Sequence, residues 1–261
     1  MSNPRNRNRR RRDNAPKDIV VGGLHAVRTS LARASEDALE LWLKNGIDKT
    51  LDAEFSGNAE RLGVSRQYCD LATLDRLNGD SHHQGVVLRR RSPSILGIDE
   101  LSQHLTSLTT PLVLVLDAIQ DPRNFGACLR VADGAGVVAV VYPKDKSAAI
   151  TSVVAKAASG AIDTVALVPV TNLASAMRTL KDSGLWLVGL AHDAPKTLYR
   201  CDLAVGSAVV LGNEGSGMRR LTRDLCDEVA AIPLHGQVSS LNVSTAAAVC
   251  LFEACRQRDN G

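Results

Sequence analysis

The apolar pattern starts near Asp18 and is short-ranged at first. Gly23 to Leu31 (GLHAVRTSL) has apolar residues at helical spacing after a Gly-Gly turn. Ala38 to Leu43 predicts a strand, Leu71 to Leu77 a helix, and Gly85 to Leu88 a short strand. These elements predict a small α/β module over residues 18–91. Its end carries Leu88-Arg-Arg-Arg91 followed by Ser92-Pro93, a charge run beside a proline. Such a run reads as a solvated boundary or as a face for an anionic backbone. Residues 92–110 hold Pro, Ser and Thr with one weak helix, and predict a linker.

From Pro111 the pattern changes. Leu112 to Leu116 is a continuous apolar run ending in Asp117, and Val137 to Val141 is a second. Thr164 to Val168, Leu185 to Leu190 and Ala208 to Leu211 follow. Helical patterns at Asn124 to Asp133, Ile150 to Ala158, Leu173 to Asp182 and Met218 to Cys226 lie between most of them. Continuous apolar strands alternating with helices predict a parallel sheet covered on both faces, over residues 111–261. No internal repeat interrupts this order.

Composition refines the picture in three ways. Apolar residues make up 44% of the 261 and aromatics only 3%, so the cores should be aliphatic. The net charge is only +3, but six arginines fall within residues 1–17 (MSNPRNRNRRRRDNAPK). That segment is too polar to offset ordering entropy and predicts a disordered basic tail. It reads either as a solvated tail or as an electrostatic arm for RNA phosphates. No run of about 18 apolar residues predicts a membrane span, and the basic start lacks the apolar stretch of a secretory signal. A cytoplasmic protein without membrane attachment is expected. The six cysteines form no C-x-x-C pair and no zinc spacing, so reduced thiols and no metal site are expected.

Candidate chemistry collects in three segments, each after a predicted strand, where parallel sheets bind ligands. The first is Asp117-Ala-Ile-Gln-Asp-Pro-Arg-Asn-Phe-Gly-Ala-Cys-Leu-Arg130. Asn124 is a candidate N-cap. Gly126 costs a helix about 1 kcal/mol relative to alanine, so a packing or access role is expected. Arg130 lies four residues on and shares its face, leaning over the gap toward the helix start. An anion there would meet a guanidinium and free N–H groups, although a surface salt bridge explains the arginine equally well. The second segment is Leu211-Gly-Asn-Glu-Gly-Ser-Gly217. Its glycines permit a tight turn and close backbone approach, but the spacing matches neither a Rossmann nor a Walker loop. Glu214 is placed to orient a ligand or close the turn. The third is Ile232-Pro-Leu-His-Gly-Gln-Val-Ser-Ser-Leu-Asn-Val-Ser244, leading into a C-terminal helix. Ser240 and Asn242 are read as caps or as groups presented to a substrate. His235 has no Ser or Asp partner and reads as a loop residue.

Together, N-x-G-x-x-x-R at 124–130, G-x-E-G-x-G at 212–217 and I-P-x-x-G…S-L-N-V-S at 232–244 resemble the three motifs of the SpoU (TrmH) methyltransferases of the SPOUT class. Each motif alone is weak, but their order and spacing are specific. The resemblance covers roughly residues 112–258. The first module resembles the family's L30e-like RNA-binding domain, through Gly22 to Val27 and His83 to Val87. Ser239 to Ser244 and Gly217 to Thr222 closely resemble the 23S rRNA guanosine 2′-O-methyltransferase subgroup. The arginine-rich tail falls outside the pattern.

The resemblance implies an α/β fold with a C-terminal parallel-sheet SPOUT domain, a deep trefoil knot and a homodimer. It implies S-adenosyl-L-methionine as cofactor, bound through Gly212, Ile232 and Leu241, with Leu190 closing the pocket. It implies RNA as partner, a 23S rRNA or a ribosomal precursor, and catalysis by Arg130 with Asn124, Glu214, Ser240 and Asn242. Arginine is an awkward base because its pKa lies above about 12. Two roles therefore stay open for Arg130: proton acceptor, or fixed cation at a phosphate and a developing alkoxide. Two other functions compete. One is a tRNA ribose methyltransferase, which the N-terminal module disfavours. The other is a catalytically silent RNA-binding assembly factor, against which intact Arg130, Glu214 and Asn242 argue.

Overall fold

The computed structural model describes residues 18–33, 35–79, 81–93 and 95–259. The expectation for the basic tail lies outside the described residues. The chain divides into two compact units, the first ending at Ser92 and the second beginning at Pro93.

The first unit is a four-stranded sheet with helices. β1 (Asp18–Gly22), α1 (Leu24–Arg33), β2 (Ala38–Lys44), α2 (Lys49–Leu62), β3 (Ser65–Cys69), α3 (Leu71–Asn78) and β4 (Val86–Arg91) follow in order. The sheet order is β1-β4-β2-β3; only β2 and β3 pair in parallel. Trp42 and Val87 pack with Leu74 of α3 on one face. The alternate residues Leu41, Leu43, Val86 and Leu88 are also buried, so both faces are covered. α2 was not predicted, because Gly57 and Asn58 interrupt a pattern with few apolar residues. Its ends are nonetheless well marked. The Asp48 carboxylate accepts from Thr50 and Leu51 N–H, and Gly63 closes it at φ 65. β3 is an exposed edge strand without apolar alternation.

The arginine run ends at the boundary of the first unit, with Arg89 and Arg91 exposed and Arg90 buried. It continues β4, and alternation turns Arg90 inward, where it is only 1% exposed. Arg90 donates to Arg91 O at 3.1 Å and faces Asp37 at 3.4 Å. Arg89 pairs with Glu40 at 2.9 Å, and Arg91 donates to Glu36 O.

The second unit opens with α4 (Ile98–Leu105), in the stretch expected to be a linker. Leu101 and Leu105 sit in the core of the sheet, and Ile95 bridges Leu167. Three apolar positions, Ile98, Leu101 and Leu105, suffice because they share one helical face. β5 (Leu112–Asp117), α5 (Pro122–Gly134), β6 (Ala139–Pro143), α6 (Ser152–Ala158), β7 (Ala166–Val170), α7 (Leu173–Asp182) and β8 (Trp186–Leu190) come next. β9 (Lys196–Thr197), β10 (Ser207–Gly212), α8 (Arg220–Leu225), β11 (Glu228–Ala231) and α9 (Val243–Asp259) complete the unit. All seven strands are parallel, in the order β7-β6-β5-β10-β8-β11-β9.

β7 runs two residues past its predicted end and includes Pro169. A proline is tolerated there because β7 is an edge strand. Arg258 of α9 binds the amino ends of β5 and β10, donating to Leu203 O, Val205 O and Ser207 Oγ. Among the described residues no helix is long and apolar enough to cross a membrane.

Candidate active site

The sheet order places a switch point between β5 and β10. The chain leaves β5 toward β6 on one side, while β10 pairs with β5 on the other, with Gly212 opposite Asp117. Ligand crevices form outside the carboxyl ends of strands at such points. The three motif segments converge there.

Segment 212–217 is a turn folded over its own base. Asn213 and Gly217 exchange backbone hydrogen bonds at 3.1 and 2.8 Å. A Cβ on Gly212 would lie 2.1 Å from both Gly217 C and Met218 N, so no other residue fits. The Asn213 side chain accepts from Gly215 N at 2.9 Å and donates to Ala118 O at 3.1 Å.

Glu214 is the hub. Its Oε1 accepts from Asn124 Nδ2, from Asn242 Nδ2 at 2.8 Å and from Val243 N at 3.4 Å. Asn242 also donates to Asn124 Oδ1 at 3.0 Å. Three residues from three segments, up to 118 positions apart, thus form one closed network. Asn124 is free to join it because it is not the N-cap. Asp121 caps α5 instead, accepting from Arg123 and Asn124 N–H at 2.7 and 3.0 Å, with Pro122 in the first turn. Asn242 does start α9: its Oδ1 accepts from Ser244 N at 2.9 Å.

Gly126 serves packing, and no gap is left beside it for a ligand. A Cβ there would sit 2.6 Å from both Ala157 Cβ and Val154 O, so α6 occupies the expected space. Arg130 is exposed on α5 and donates from Nη1 to Ser159 Oγ at 3.3 Å, just past the end of α6. Ser159 holds a left-handed φ of 51, sparsely populated for a side-chain-bearing residue. Ser240 is exposed on the loop before α9. The structure therefore joins Asn124, Glu214 and Asn242 directly and leaves Arg130 and Ser240 outside that network.

Three of the four expected cofactor residues fall at adjacent strand ends, and Leu241 lies on the loop before α9. Leu190 ends β8, Gly212 ends β10, and Ile232 follows β11, in the spatial order β10-β8-β11. Leu190, Ile232 and Leu241 are half-buried. Behind them, Gly189 lets the sulfurs of Cys226 and Met218 approach: a Cβ would lie 2.8 and 3.0 Å from them. Burial pushes the Cys226 thiol up to about 12, with Asp227 adding to the shift, so it is no nucleophile at neutral pH. Among the described residues no cluster of His, Cys, Asp or Glu is arranged to hold a metal.

Sequence reasoning did not single out the roles of Asp117, Asn213, Arg219 or Ser159. One signal was available: Asp117 closes a fully buried strand, where an ionisable group demands a partner.

A family model described as the SpoU rRNA Methylase family matches residues 111–252, over half of the chain. The chain belongs to that family. A second model, described as RNA 2′-O ribose methyltransferase substrate binding, matches residues 20–95. The 23S rRNA (guanosine-2′-O-)-methyltransferase RlmB of Shewanella oneidensis is 44% identical over 242 residues, 93% of this chain and 98% of that protein. The protein of the same name from Vibrio vulnificus is 46% identical over 238 residues, 91% of this chain and 96% of its own. The crystal structure of the SpoU methyltransferase AviRb from Streptomyces viridochromogenes, in complex with AdoMet, superposes with a TM-score of 0.78. It is 23% identical, and the match covers 98% of this chain and 95% of that one, a likeness of fold.

Proposed function

We propose that this protein transfers a methyl group from S-adenosyl-L-methionine to a ribose 2′-hydroxyl of RNA, on a guanosine of 23S rRNA. The carrying observation is the Asn124–Glu214–Asn242 network, which joins all three family motifs at the switch point. The near-full-length relatives of that name support the substrate.

The strand ends fit the cofactor. Gly212 leaves backbone bare where a Cβ cannot go, and Leu190, Ile232 and Leu241 offer apolar flanks with backbone donors and acceptors. S-adenosyl-L-methionine supplies an activated methyl on a positively charged sulfur. The chain must then present the ribose oxygen in line and remove its proton as the new bond forms. Arg130 is the group assigned to that oxygen, either taking the proton or stabilising the developing negative charge. Ser240 orients the ribose or its phosphate directly, and Asn242, its amide hydrogens taken by Glu214 and Asn124, does so by holding the loop that carries Ser240. Glu214 fixes the amide donors of Asn124 and Asn242.

The reading extends to the whole molecule. Residues 18–91 act as an L30e-like substrate reader. At one edge of that unit the β1–α1 and α3–β4 loops interlock, with Leu24 N–H donating to Gln84 Oε1 at 3.1 Å. Residues 111–261 form a SPOUT domain with a deep trefoil knot, acting as a homodimer in the cytoplasm. Half-exposed Phe252 on α9 provides apolar surface for the second copy.

The test is Arg130→Ala, assayed for methyl transfer, cofactor affinity and melting. Transfer should fall about a hundredfold or more, with affinity and melting unchanged. Wild-type turnover refutes the assignment. Mapping 2′-O-methyl groups in RNA from a deletion strain settles the substrate: a missing tRNA methyl would redirect the reading, and no missing methyl would favour a silent assembly factor.

A further inference from the structure

Asp117 ends β5 with its side chain completely buried. A buried carboxylate is costly unless its oxygens are bonded. One residue satisfies both. Arg219 donates its backbone N–H to Oδ2 at 2.9 Å and its Nε to Oδ1 at 2.7 Å, with Nη2 2.6 Å from Oδ1. Arg219 leaves the glycine-rich turn and begins α8. The turn is therefore tied at both ends to the same residue, because Gly212 also pairs with Asp117 in the sheet.

A buried ion pair is a poor source of net stability compared with apolar packing. What it supplies here is geometry. A backbone and a side-chain donor from one residue fix both the position and the rotation of the peptide that closes the turn. We propose that Asp117 and Arg219 are a positioning clamp, which holds turn 212–218 in the shape that receives the methyl donor. The proposal rests on the reading that this turn binds S-adenosyl-L-methionine.

Arg219 has a competing use. Its side chain is 42% exposed, and it borders a cavity of about 430 Å³ with Asp145, Lys146, Thr171 and Asn172. An RNA phosphate held there would need net positive charge. Asp117 neutralises Arg219, and Asp145 stands beside Lys146, so the cavity has none. The geometry favours the clamp.

The test uses the full-length protein with Asp117→Asn, Arg219→Met and the double variant. Arg219→Met strands the buried Asp117 carboxylate and risks the fold, whereas Asp117→Asn leaves Arg219 a part-exposed cation. With both changed no buried charge remains, and the amide oxygen introduced at position 117 can still accept the N–H of position 219, so the double variant should be more stable than Arg219→Met alone. The double variant should remain folded, yet bind S-adenosyl-L-methionine about tenfold more weakly, as expected if only a tenth of the turns remain competent. Its amides over residues 213–219 should exchange faster. Wild-type cofactor affinity in a stably folded double variant overturns the clamp. Lost RNA affinity with intact cofactor affinity overturns it too, in favour of the phosphate role. If the double variant does not fold, Arg219→Lys takes its place. It keeps the charge but lacks the planar fork, and should show the same weakening; unchanged affinity would overturn the clamp. In wild type the cofactor should slow amide exchange over 212–218. Absence of that protection would refute the cofactor reading itself, independently of the variants.

Discussion

Replacing Gly126 by alanine sets two effects of opposite sign against each other. Alanine is favoured over glycine in a helix interior by about 1 kcal/mol. The new Cβ, however, would lie 2.6 Å from Ala157 Cβ, 2.6 Å from Val154 O and 3.1 Å from Ala158 N. Carbon atoms pack comfortably at about 3.5–4.0 Å, so α6 must retreat by about 1 Å. Two of the three contacts are backbone atoms of α6 and cannot swing away. Overpacking of this kind costs about 1–3 kcal/mol, which outweighs the propensity gain. The expected net loss is about 1 kcal/mol, or a melting point lowered by about 2–4 °C for a unit of this size. Methyl transfer should fall further than stability, because the retreat of α6 separates Ser159 from Arg130. Gly126→Ala combined with Ala157→Gly relieves only the Cβ contact and costs α6 about 1 kcal/mol in helix propensity, so it should not regain the lost stability. Scanning calorimetry with a turnover assay decides the matter. A rise of a few degrees in the single variant would mean that propensity wins and that the close approach of α5 to α6 carries no cost.

Asn124→Ala and Asn242→Ala each remove one donor from Glu214, so single-turnover transfer should drop at least tenfold in either; additive losses in the double variant would show that the three residues do not act as one network. His83 is buried, with Nδ1 accepting from Gly85 N–H and Nε2 3.0 Å from Asp75. His83→Ala strands that N–H and should destabilise the first unit by about 1–3 kcal/mol in urea unfolding, a loss that an unchanged midpoint would contradict. Because the Cys226 thiol is pushed up to about 12, only about one molecule in ten thousand is thiolate at pH 8. Iodoacetamide should therefore leave transfer intact, and rapid inactivation traced to Cys226 by peptide mapping would show it to be reactive.

Much of the architecture was written in local pattern. β5, β6, β8 and β10 are continuous apolar runs, and α7 begins and ends where its periodicity does, since fully buried strands and amphipathic helices carry their own signal. The first two motif segments were legible for the same reason, as polar turns after apolar strands at the carboxyl edge of a sheet; the third follows β11 (Glu228–Ala231), which has no long apolar run to announce it. Elements with little buried surface were not. β3 is exposed along most of its length, and α2 buries only Phe55 and Ala59.

The identities of partners lay beyond local pattern altogether. The motif spacing pointed to Gly126 and Arg130 as neighbours around a gap, but helix α6 fills that gap. Asn124 looked like a cap until Asp121 took the position. The arginines ending β4 looked like surface until alternation buried Arg90. Asp117 and Arg219 are 102 residues apart, and Asn124 and Asn242 are 118 apart. Their meeting depends on β10 inserting beside β5, and no stretch of a few residues encodes that order. Local periodicity reports how each segment divides between core and water. Which charged or amide group completes another is settled only when the sheet closes and each buried polar atom must find its bond.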